Sequence, residues 1–99
     1  TDSPQYAVRT ERNVVDSDAT LIFCRGTPTG GTEWTRICAQ RLGRPWLVVD
    51  LNQPLNWQAL RSWLASVRPD VLNIAGPRES QAPGIQQQVQ EILIRLFTE

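Results

Sequence analysis

Short continuous apolar runs along this chain alternate with longer stretches in which apolar residues return every three or four positions. The runs are "ATLIFC" (19–24), "WLVVDL" (46–51) and "VLNIAG" (71–76). Unbroken apolar character over so few residues predicts strands covered on both faces, as in a parallel sheet. Between the runs, "TEWTRICAQRLG" puts Trp34, Ile37, Cys38 and Leu42 on one helical stripe, and "WQALRSWLASV" does the same for Trp57, Leu60, Leu64 and Val67. After the third run, Ile85, Val89, Ile92, Leu93 and Leu96 define the inward side of a last helix, with Ile94 and Phe97 left off it.

Punctuation supports these boundaries. Ser3 and Pro4 start an N-terminal helix running to about Asn13, Gly43 and Pro45 end the second helix, and Asn56 caps the third. The strands begin roughly 25 residues apart, which predicts one α/β domain over 1–99: a Rossmann-like, three-layer βαβαβα arrangement with a parallel sheet and an N-terminal helix. If the strands lie side by side in sequence order, all crossover helices fall on one face and the N-terminal helix alone covers the other. A bare face or unpaired edge is a liability. The chain is therefore expected to form a homodimer or higher oligomer, or to be an incomplete half of a larger fold; its first residue, Thr1, fits a trimmed piece.

Composition narrows the chemistry. The 99 residues are 40% hydrophobic and carry a net charge of zero, with ten cations that are all arginine and no lysine or histidine. Histidine-based nucleophilic catalysis, histidine metal ligation, lysine Schiff bases and the Walker lysine are excluded. Zero net charge argues against nucleic-acid or membrane-surface partners, and no run is long enough to span a membrane. An anion here must be met by arginine forks, hydroxyls and backbone N–H groups. Cys24 and Cys38 lack the spacing of a metal site and read as buried free thiols of a cytoplasmic protein.

In a parallel α/β sheet, ligands bind beyond the carboxyl ends of the strands. Three loops arrive there: "RGTPTGGT" (25–32), the segment starting at Asp50, and "GPRES" (76–80). Gly30 and Gly31 allow close backbone approach, Thr27, Thr29 and Thr32 add hydroxyls, and Arg78 or Arg25 can supply charge. The glycine pair is either an anion cradle or only a strand-to-helix turn. Asp50 stands where dinucleotide folds place a ribose-binding carboxylate, or is a turn residue. Asp16 and Asp18 either hold a magnesium ion with a phosphate or face water. Glu33 and Glu79 are the carboxylates inside the candidate loops, as general bases or as helix-start charges. The four tryptophans mostly lie on inward faces and read as core.

"RTERNVVDSDATLIF", "TGGTEWT", "RPWLVVDL" and "VLNIAGPRESQAPGI" together resemble, over nearly the whole chain, the "putative molybdenum carrier" family, which is related to a Rossmann-like group containing phosphoribohydrolases. The resemblance implies a Rossmann-like oligomer with a pocket at the strand ends. It implies binding of the molybdenum cofactor, or of a similar oxyanionic ligand or phosphate-bearing nucleotide. On this chain the implied binding loop is Thr29, Gly30, Gly31 and Thr32, with Gly76, Arg78, Glu79 and Ser80 beside it. Members usually begin with a Gly-rich segment of the "GGQTGVDR" kind that this sequence lacks, so 1–99 is expected to be the C-terminal portion of the family domain. The hydrolase relatives carry a catalytic glutamate where this chain has Thr35 or Ile37, which argues against glycosidic hydrolysis. Three functions are open at this point: an anion-binding carrier, a nucleotide N-glycosidase or phosphohydrolase using Glu33 or Glu79, and a structural, dimerising half-domain with no complete site.

Overall fold

The computed structural model describes residues 11–98; the expected helix start at Ser3 and Pro4 lies outside them. A helical segment at 11–15 (α1) leads into strand β1, Ala19–Cys24. Then follow α2 (Gly30–Arg41), β2 (Trp46–Asp50), α3 (Trp57–Val67), β3 (Leu72–Ala75) and α4 (Ile85–Thr98). All three strands are parallel, as the apolar runs predict, and the fold is Rossmann-like α/β.

The strand order is β2-β1-β3, not the sequence order. The reason is visible in the residues. A central strand must be apolar on both faces, and "ATLIFC" is the run with neither a carboxylate nor an amide, whereas β2 carries Asp50 and β3 carries Asn73. Every residue of β1 is buried, while the two outer strands are mostly half-buried. With β1 in the middle, the helices divide between the two faces. Leu21 and Phe23 point to one side and form a core with Leu60 of α3 and Ile92 and Leu96 of α4. On the other side Val14 of α1 meets Cys38 and Ala39 of α2, flanked by Trp34 and Trp46. Both faces are therefore covered, and the expectation of one face left to the N-terminal helix is corrected.

The inward stripe of α2 also differs from the expected one. Its buried residues are Thr32, Thr35, Cys38 and Ala39, while Trp34 and Ile37 are half-buried and Leu42 is 44% exposed. Small side chains let the helix lie close to the sheet, and Thr35 satisfies its hydroxyl on the Gly31 carbonyl at 3.0 Å. None of the four tryptophans is fully buried. Three of them lie under arginines, with guanidinium-to-ring distances of 5.4 Å for Arg36 and Trp46, 5.8 Å for Arg41 and Trp34, and 4.8 Å for Arg95 and Trp57.

Asn56 caps α3 as expected, accepting the Ala59 amide at 3.0 Å. Asp18 accepts the amides of Asp70 and Val71 at 2.8 and 2.9 Å, pinning the entry of β3 to that of β1. It is a fastener at the amino ends of the strands. No cluster of potential metal ligands exists among the described residues, and no described helix is long and apolar enough to cross a membrane.

Candidate functional site

β1 ends at Cys24, and the chain turns at once into the loop before α2. Thr29 is the N-cap of α2, with extended backbone, but its hydroxyl makes no capping bond. The amides of Thr32 and Glu33 donate to the Thr29 carbonyl at 3.1 and 3.3 Å. Those of Gly30 and Gly31 make no hydrogen bond to any described residue. They are the unpaired donors that every helix start leaves over, at its electropositive end. Gly30 has φ +56°, a conformation that side chains resist, which explains a glycine there.

These residues line a cavity of about 490 Å³ at the carboxyl end of the sheet. One wall is Cys24, Arg25, Thr27, Thr29, Gly30 and Gly31, and the other is Pro77, Gln81, Ala82 and Pro83. Thr27, Thr29, Gly30 and Gly31 thus come together as the sequence suggested. Thr32 does not join them: it is buried, with its amide donating to the Thr29 carbonyl. Gly76, Arg78, Glu79 and Ser80 do not line the cavity either. The third loop meets the cavity through Pro77 and then through 81–83, one step further along "PRESQAPG". Gln81, Ala82 and Pro83 carry no charge, and their signal in the sequence was only their place in the "GPRESQAPGI" segment that carries the family resemblance.

The charged group at the cavity is Arg25. It donates from Nη1 to the Pro83 carbonyl at 2.9 Å and from Nη2 to Gln88 Oε1 at 3.4 Å, stapling the two walls together. Asp50, at the end of β2, lies outside the cavity lining. Its Oδ1 accepts the amides of Gly26 at 2.7 Å and Asn52 at 2.9 Å, so it holds the turn reading. It fixes the loop from which Thr27 and Thr29 project.

The two candidate bases are both engaged. Glu33 forms a two-pronged pair with Arg36, at 2.6 and 2.7 Å, and that hydrogen-bonded guanidinium holds its carboxyl below the usual range. Glu79 accepts the amides of Gly84 and Gln86, which, with the nearby Arg25 charge, lower its pKa too. A general base near neutrality needs the opposite shift. Cys24 is buried, its thiol leaning on the Gly26 carbonyl at 3.2 Å, and burial with the neighbouring Asp50 raises its pKa. It remains a thiol. The cavity therefore offers amides, hydroxyls and one guanidinium, a set suited to oxygen anions and not to direct coordination of a metal.

Comparison with known proteins places the chain in a family. No curated protein matches the chain. The crystal structure of a "putative molybdenum carrier protein" from Syntrophus aciditrophicus superposes with a TM-score of 0.86 and 36% sequence identity, covering 100% of this chain. This chain spans 64% of that protein's length. A sequence profile of the circularly permuted YpsA SLOG family matches residues 1–97. With a near-complete profile match and the same fold in the molybdenum-carrier-named relative, the chain belongs to the circularly permuted YpsA family of SLOG proteins.

Proposed function

We propose that this protein is a carrier-type binding protein that holds the oxygen anion of a small ligand in the cavity at the end of β1. The carrying observation is the pair of unpartnered Gly30 and Gly31 amides at the positive end of α2, lining that cavity beside Arg25. The name of the Syntrophus relative supports molybdenum-containing cargo, and the donor set suits the phosphate of a molybdenum cofactor or of a nucleotide equally. Such cargo would be gripped by its oxygens. Charge-assisted contacts contribute about 1.5–3 kcal/mol each, so three or four reach the roughly 8 kcal/mol of micromolar binding.

Calorimetric titration with molybdate and with inorganic phosphate tests this. Gly31→Asp is the informative variant, because Gly31 has no positive φ. A carboxylate in the first turn favours the helix while repelling an anion. Binding to the native chain and none to a folded Gly31→Asp variant is the expected result. Equal binding heats from both would remove the amide pair from the mechanism, and no heat from either would leave a structural half-domain without a complete site. Nothing favours the hydrolase reading, since Glu33 and Glu79 are both tied down.

A further inference from the structure

A second recess, of about 330 Å³, lies between the start of α3 and the side of α4, close to the end of β2. Leu51, Leu55, Trp57 and Ile92 give it an apolar surface, and Gln88 and Arg95 stand among its polar lining residues. The Arg95 guanidinium lies 4.8 Å from the centre of the Trp57 ring. That guanidinium lies over the ring face, and the Arg61 guanidinium is also near it, at 5.6 Å. Apolar side chains beside an exposed guanidinium plane suit a planar ring, which gains contact with both.

The two recesses share a partition. Arg25 lines the first, Gln88 lines the second, and the Arg25–Gln88 hydrogen bond at 3.4 Å is exposed and at the long limit of such bonds. Arg25's two acceptors, the Pro83 carbonyl and the Gln88 amide oxygen, are both neutral, and the nearby Glu79 carboxylate is already taken up by the Gly84 and Gln86 amides. An anion competes well against them, because charge-assisted hydrogen bonds are roughly twice as strong as neutral ones. An arginine turned toward an anion in the first recess would release Gln88 and open the partition.

We propose that the Leu55–Trp57 recess is a subsite for the planar, apolar end of the ligand whose anionic end occupies the first cavity, with Arg25 between them. This rests on the anion-binding reading above and narrows its ligand to an elongated molecule with an oxyanion at one end and a flat ring at the other. Bare phosphate or molybdate fills only half the site.

Amide and indole N–H resonances can follow both halves at once, in titrations with inorganic phosphate, riboflavin and flavin mononucleotide, the last joining phosphate to a planar ring as a probe of shape. Phosphate is expected to shift Gly30 and Gly31 alone. Flavin mononucleotide is expected to shift these and the Trp57 indole, and to bind about tenfold or more tighter than phosphate, the scale of one stacking contact. Trp57→Leu should erase that advantage and leave phosphate binding unchanged. Because Trp57 also supports the core, Glu91→Trp, which plugs the recess from an exposed helix position, is the second variant and should act alike. If flavin mononucleotide shifts the glycines but not Trp57, the subsite is overturned and the anion site stands. If phosphate moves neither glycine while riboflavin moves Trp57, the anion reading falls and the joined ligand with it. No shift with any probe overturns both.

Discussion

The carbonyl oxygen of Phe23 sits 2.8 Å from where a Cβ on Gly76 would stand. At that distance no side chain fits without moving backbone, so β1 and the chain leaving β3 close on each other only because residue 76 is glycine. Gly76→Ala is expected to lower stability by about 1–3 kcal/mol, as overpacking does. A urea midpoint equal to that of the native chain would show that the strand ends are not so tightly joined.

The two well-defined helix starts make a contrast. The Asn56 side chain caps α3, and Asn56→Ala should cost about 1 kcal/mol. Thr29 is an N-cap in position but not in bonding, so Thr29→Ala should stay within about 0.5 kcal/mol of the native chain. The same substitution should weaken phosphate binding several-fold if the idle hydroxyl serves the ligand. Parallel denaturation and titration of the two variants separate a structural threonine from a binding one.

Glu79 sets a pH dependence. Its carboxylate accepts two amides at the start of α4, and its pKa is lowered in the folded chain relative to about 4.3 in an unfolded one. A depressed carboxylate stabilises the fold above the unfolded pKa, and that stability is lost as pH falls through the folded value. The difference in melting temperature between the native chain and Glu79→Gln should hold steady above about pH 5 and shrink below about pH 4. A difference that grows on acidification would refute the capping role.

Ile94 and Phe97, three residues apart on α4, are 55% and 62% exposed, and Ile74 on the edge strand β3 is 37% exposed. Neighbours at that spacing form one apolar strip on a helix. We expect self-association through it at micromolar concentration, with Phe97→Glu returning the protein to monomer. Sedimentation velocity decides: a native chain that is already monomeric removes this surface from any dimer.

The parallel sheet, the alternation of elements and the Asn56 cap were legible because each follows from local periodicity or a single capping side chain. Strand order was not, although the clue was present: only "ATLIFC" is free of carboxylates and amides, as a middle strand requires. The α2 stripe was misread because large apolar residues weighed more than Thr32, Thr35 and Ala39, whose small size is what close packing selects. In the cavity, Thr27, Thr29, Gly30 and Gly31 were found by their residue types. The sequence pointed to Arg78 as the charge beside the ligand, but the cavity lining holds Arg25 and not Arg78, because only the loop's path decides which arginine arrives there. The roles of Asp50 and Glu79 turn on which backbone amides come within reach, and residue type does not reveal that.

Because β1 divides the interior in two, the tryptophans divide with it. Trp34 and Trp46 belong to the α2 side, and Trp57 and Trp63 to the α3 and α4 side. Each half of the molecule thus carries its own intrinsic fluorophores, separated by a strand that has none. Chains keeping one pair and replacing the other with phenylalanine would report emission from a single side, and would reveal whether the two sides melt as one unit or in succession.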